Sequence, residues 1–196
     1  MHNTQRILLL TTSLLTVATL HAAPADLPKS GQTTCADNTG AVMACIGTGQ
    51  DGDHQAGVVW PNPRFTRDET GNCITDKLTD LVWVRNPDVT VRNWQQALDF
   101  ANNLALCGST DWRLPNIIEL ESLVNLDVAN QASFLYDQGF SGMQTSNYWS
   151  STMYAGCCSS TALAWVISMG HGDVVPVDRF GNGFVVAVRG RLATRD

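Results

Sequence analysis

The chain has 196 residues, with 12 Lys and Arg against 18 Asp and Glu and a formal net charge of −6. An acidic surface repels phosphate backbones, and no run of Lys or Arg offsets it, so the composition speaks against nucleic acid as a partner. The length fits one ordinary domain with enough chain to bury a core.

Residues 1–25 read as a cleaved secretory signal. Arg6 supplies the positive charge, an apolar run follows over 7–20, and small residues lie around Ala22 and Ala25, either of which suits the cut. The run is short for a bilayer span, and no later segment is apolar enough to be one, so no transmembrane segment is expected after cleavage. Losing Arg6 moves the charge to −7 over about 171 residues. Residues 26–57, rich in Gly, Thr, Asp and Gln, read as an N-terminal arm, and Val58-Val59-Trp60 as a short extended piece ended by Pro61 and Pro63.

Phe65, residues 73–76 and residues 81–84 suggest a β-hairpin with its connection over 76–80, the second strand being the more apolar and the more buried. Two helices follow. Asn93 and Gln96 stand as N-cap and N3 of a capping box ahead of Trp94, Ala97, Leu98, Ala101 and Leu104 on one face, and Asn116 and Glu119 repeat the spacing after Pro115. From Leu126 to about Asn147 the chain reads as loop. Strands are then expected over 148–152, 162–168, 174–177 and 184–189, the last three joined by turns at 170–173 and 181–183.

Cys35, Cys45, Cys73, Cys107, Cys157 and Cys158 follow the signal and are even in number, which favours disulfides in an oxidising compartment. Paired Cys at zinc-site spacing are missing, and no metal or cofactor is expected. Six cysteines allow 15 pairings. Cys35 with Cys45 and Cys73 with Cys107 are the pairs expected, leaving adjacent Cys157 and Cys158 to bridge each other or to pair elsewhere.

Several motifs occur in an ordered series: Leu27-Pro28-Lys29-Ser30-Gly31-Gln32-Thr33, Gly49-Gln50-Asp51-Gly52, Trp60-Pro61-Asn62-Pro63-Arg64-Phe65-Thr66, Asp111-Trp112-Arg113-Leu114-Pro115-Asn116 with Glu119-Leu120, Tyr148-Trp149-Ser150-Ser151-Thr152, and Val188-Arg189-Gly190. The series resembles the Lcl C-terminal domain family, which would make residues 58–196 one such domain. The resemblance implies an exported bacterial protein, and the family's namesake is the end domain of a collagen-like adhesin that binds sulfated glycosaminoglycans. The element order is also similar to the C-type lectin-like fold, an α+β architecture with two helices packed on an irregular, loop-rich antiparallel sheet. The chain departs from the family where Thr79-Asp80-Leu81 replaces the usual Thr-Gly-Leu, and it has no collagen-like triplets. Its acidity argues against a polyanionic ligand.

Trp94, Trp112, Trp149, Asp111, Arg113, Pro115, Glu119 and Arg189 read as structural, with Arg113 expected to pair with Glu119 or Asp111. Trp60, Tyr154 and His171 are the candidate ligand-binding residues, Trp60 being the least firmly buried of the six tryptophans. The stretch 127–147 and the Cys157-Cys158 loop would form the ligand surface. Asp51-Gly52-Asp53 lacks the further oxygen ligands of a calcium loop. After the signal only His54 and His171 remain as histidines, and neither adjoins a nucleophile, so no catalytic residue is assigned. The expected function is non-catalytic recognition of an extracellular glycan or of an envelope or host protein. The alternatives are a structural or assembly component of the cell envelope and, more remotely, a thiol-dependent enzyme built on Cys157-Cys158.

Overall fold

The computed structural model describes residues 27–156 and 162–190. The expected signal segment and Cys157 and Cys158 lie outside the described residues.

In the arm, β1 (Cys35–Ala36) and β2 (Val42–Met43) form a small antiparallel hairpin, followed by a single helical turn, α1 (Asp51–His54). The Cys35–Cys45 disulfide closes the hairpin with Cα atoms 5.1 Å apart. The arm joins the body through a parallel bridge between Pro28 and Val58 and through Asp127, which accepts from both hydroxyls of Thr33 and Thr34 and from Thr34 N. Those hydroxyls hold the Asp127 carboxyl down at about 2.

The body begins with the meander β3 (Phe65–Arg67), β4 (Cys73–Asp76) and β5 (Val82–Val84), so the expected hairpin is there with an added outer strand. The second strand is not the more buried one: β4 and β5 are each flanked on both sides, and Cys73, Ile74 and Asp76 are buried as fully as Leu81, Trp83 and Val84. The turn between them keeps its left-handed residue although the chain has Asp80 there, at φ 58°. An L side chain in that region costs about 1 kcal/mol. Asp80→Gly is therefore expected to raise stability by about 0.5–1 kcal/mol in urea unfolding. A loss would mean that the Asp80 side chain itself holds the turn.

Both capping boxes form. In α2 (Trp94–Asn102) Asn93 accepts from Gln96 N while the Gln96 side chain accepts from Asn93 N, and in α3 (Ile117–Glu121) Asn116 and Glu119 do the same. The first buries Trp94, Ala97 and Ala101. The stretch read as loop contains a third helix of the body, α4 (Gln131–Asp137). Asn130 caps it on Ser133 N, Ala132 and Leu135 bury its inner face, and Gln131 ties its start to Asn125 and Val128.

The second body sheet is β6 (Asn147–Met153), β7 (Leu163–Ser168) and β8 (Val174–Asp178), antiparallel in sequence order. The turn after β8 does not make the expected third hairpin. Residues 185–188 are buried on both sides, Val186 and Val188 in one apolar cluster and Val185 and Ala187 in the other. Such a run cannot lie on a half-exposed edge. It crosses between the sheets instead: Phe184 exchanges bonds with Asn147 and Trp149, and β9 (Val188–Arg189) pairs with β5. Gly183 makes the crossing possible, since a Cβ there would come within 2.8 Å of Trp149 Nε1. The result, among the described residues, is an α+β domain with antiparallel sheets, few helices and two disulfides. No helix among the described residues is long and apolar enough to cross a membrane.

Candidate functional site

Most of the motif residues read from the sequence as structural are committed to the frame. Trp149 is fully buried and its indole N–H donates to Arg92 O, while Trp94 donates to Ser150 O and Trp112 to Leu106 O. Pro115 is buried and its carbonyl accepts from Ser151 N. Arg113 forks onto Glu119 with both contacts at 2.7 Å, and the same buried carboxylate, 4% exposed, accepts the capping bond from Asn116 N. Arg189 pairs with exposed Asp111 at 2.8 Å, and that bond holds the Asp111 carboxyl below its ordinary range. The two ion pairs pin the ends of the 111–119 segment, one against β9 and the other within its own helix start.

Cys73 and Cys107 are bonded, with Cα atoms 6.5 Å apart. Among the described residues the cluster with metal-ligand character is Asp68, Cys73 and Cys107. Both sulfurs are spent on the disulfide, so the donor set does not suit a metal. In the Asp51-Gly52-Asp53 stretch Asp51 accepts from the Ser30 hydroxyl and Asp53 from Gly49 N.

The three residues expected to bind ligand do not converge. Trp60 is half-buried and anchored: its indole N–H donates to Lys29 O, its ring lies 4.5 Å from the Arg64 guanidinium carbon, and it packs on Phe134. That is a joint between arm and body. His171 is exposed in the β7–β8 turn, while Tyr154 follows β6 at the other end of that sheet. Three strand residues, about 10 Å of rise, separate Trp165 from the start of that turn.

Tyr154 has an aromatic partner in β7. Trp165 of β7 is half-buried, and the two rings meet edge to face with centroids 5.1 Å apart. Tyr154 is 37% exposed. Strand alternation puts Leu163, Trp165 and Ile167 on one face, and the register sets Trp165 opposite exposed Pro176. Ile167 is buried at one end, whereas Trp165 lies towards the open end. Pro176 also explains why this edge is not covered by a further strand: its nitrogen lies on the outward side of β8 and has no proton to donate. The outcome is a corner of two aromatic rings on a partly open sheet face.

A second opening, a cavity of about 350 Å³, lies between β5, α2 and the 185–187 crossing, with Val84, Phe100, Leu104, Leu106 and Val185 among its walls. Asp88 at its rim is already engaged with Arg92 at 2.5 Å and with Thr90. It offers apolar volume but no uncommitted charge to orient a ligand.

Fold and surface together define a disulfide-supported α+β domain whose motif residues build the frame and whose Tyr154–Trp165 pair is partly exposed. Residues 72–189 match the Lcl C-terminal domain, and the chain belongs to that family. The match begins beyond Arg64 and the arm. No curated protein matches the chain.

Proposed function

We propose that the chain is an exported, non-catalytic binding module that recognises a surface glycan through the Tyr154–Trp165 corner. The aromatic pair carries the reading. Two rings held edge to face on a strand and at its end expose flat apolar area at little conformational cost, and pyranose C–H faces pack on such rings. Export is supported by two disulfides, which persist in oxidising compartments. The order of meander, helices and antiparallel sheet supports a C-type lectin-like fold, an architecture that presents ligands with loops and sheet ends.

A glycan array probed with the purified chain tests this. Tyr154→Ala and Trp165→Ala are expected to weaken any array hit tenfold or more while Trp60→Ala and His171→Ala leave it within twofold. Hits that survive both ring deletions would sink the assignment. A second reading, assembly with an envelope protein, is favoured by exposed Val42 on the disulfide-closed hairpin and exposed Ile46 just past it. An empty array together with co-purification of an envelope protein would select it.

A further inference from the structure

We infer that the Tyr154–Trp165 corner selects a sugar bearing a free amine, with Asp178 as the counter-ion. The inference deepens the binding reading above and rests on it. Asp178 pairs in register with Leu163, two positions from the Trp165–Pro176 pair, so alternation places Trp165, Pro176 and Asp178 on the same face. The carboxylate is exposed, and one of its oxygens accepts from Phe180 N at 2.8 Å, which fixes the side chain at the end of the strand.

From Ser150 to Asp178 the sequence contains no Lys or Arg, and its acidic residues are Asp173 and Asp178. The next residue, Arg179, alternates to the opposite face, where its guanidinium carbon lies 5.0 Å from the Trp94 ring centre and Nη1 contacts the Met153 sulfur at 3.8 Å. That cation is held away from Asp178 by its own packing. Aromatic faces attract cations through their quadrupole, and a carboxylate beside them adds Coulomb attraction. A sulfated or uronic polymer meets repulsion here from Asp178 and from a chain of net charge −6. A hexosamine with its amine free satisfies both parts of the corner: C–H groups against the indole and an ammonium against the carboxylate.

Calorimetry with the purified chain, disulfides intact, separates the possibilities using four probes: a β-1,4-linked glucosamine hexamer, its fully N-acetylated form, a heparin hexasaccharide and hexalysine. The glucosamine hexamer is expected to bind at least tenfold more tightly than the acetylated one, to weaken as salt rises, and to lose its advantage in Asp178→Asn with no change in melting temperature. Equal affinity for the two hexamers, both lost in Tyr154→Ala, overturns the amine preference while leaving the aromatic site standing. Failure of every glycan overturns both. Hexalysine binding as tightly as the glucosamine hexamer, with the same sensitivity to Asp178→Asn, makes the corner a cationic-peptide site and sinks the sugar assignment.

Discussion

Asp76→Ala is expected to cost about 3–5 kcal/mol of stability, because it strands the Arg64 guanidinium in the interior. Arg64 and Asp76 are 2% and 0% exposed and meet through two bonds, Nε to Oδ1 at 2.8 Å and Nη2 to Oδ2 at 2.7 Å. Asp76 also accepts from Leu78 N and Thr79 Oγ1, so one carboxylate holds both the cation and the β4–β5 turn. Arg64 in turn donates to Ser122 O just past α3 and stacks between Trp60 and Phe65, while its Nη1 has no partner among the described residues. Among the described residues Asp76 is the carboxylate that pairs with that guanidinium, so its removal leaves the charge without its counter-ion. The double change Arg64→Met with Asp76→Leu removes both desolvation penalties and is expected to recover most of the loss, leaving a residue from the turn bonds. Urea unfolding with intact disulfides reads both. A single-mutant loss below about 1 kcal/mol would mean that water reaches Arg64.

Legibility followed the range of the interaction. The two capping boxes need only residues three apart, and Asn93 with Gln96 and Asn116 with Glu119 could be read directly. The cap of α4 lacks the reciprocal Glu or Gln: Asn130 is answered by Ser133, and a helix of seven residues shows too few turns for its apolar stripe to stand out. Residues 184–189 were legible as extended but not as a crossing, since the apolar run over 184–188 marks a buried strand without saying which strands it pairs with. Arg64 carried no signal, because its partner is twelve residues away and nothing in a strand marks one Asp as buried. Trp165 was hidden by its neighbours. It lies in an apolar run, and only the outward placement of Pro176 opposite it reveals that this end of the sheet stays open.

Removing the Cys73–Cys107 disulfide by Cys73→Ser with Cys107→Ser is expected to cost about 4 kcal/mol, the chain-entropy value for a closed loop of this length. The bond spans 34 residues, and that loop contains the β4–β5 turn and all of α2. Its sulfur ends sit in unlike places: Cys73 is fully buried in β4 beside Val84, whereas Cys107 turns in the left-handed region at φ 50° and is followed by Gly108 at 70°. Without the bond the 103–110 segment keeps the Leu106–Ser109 bridge and the Trp112 bond to Leu106 O, but nothing covalent ties it to the meander. The Cys35–Cys45 bond closes only ten residues, and the arm around it meets the body through few contacts. Loss of that bond would free the arm before the body melts, so Cys35→Ser with Cys45→Ser is expected to lower the main transition by much less than the roughly 10 °C to which about 4 kcal/mol corresponds for the other pair. Thermal melts of the two variants decide the matter: equal drops would show that arm and body unfold as one cooperative unit, and that the joint at Trp60, Arg64 and Asp127 is stronger than its few hydrogen bonds suggest.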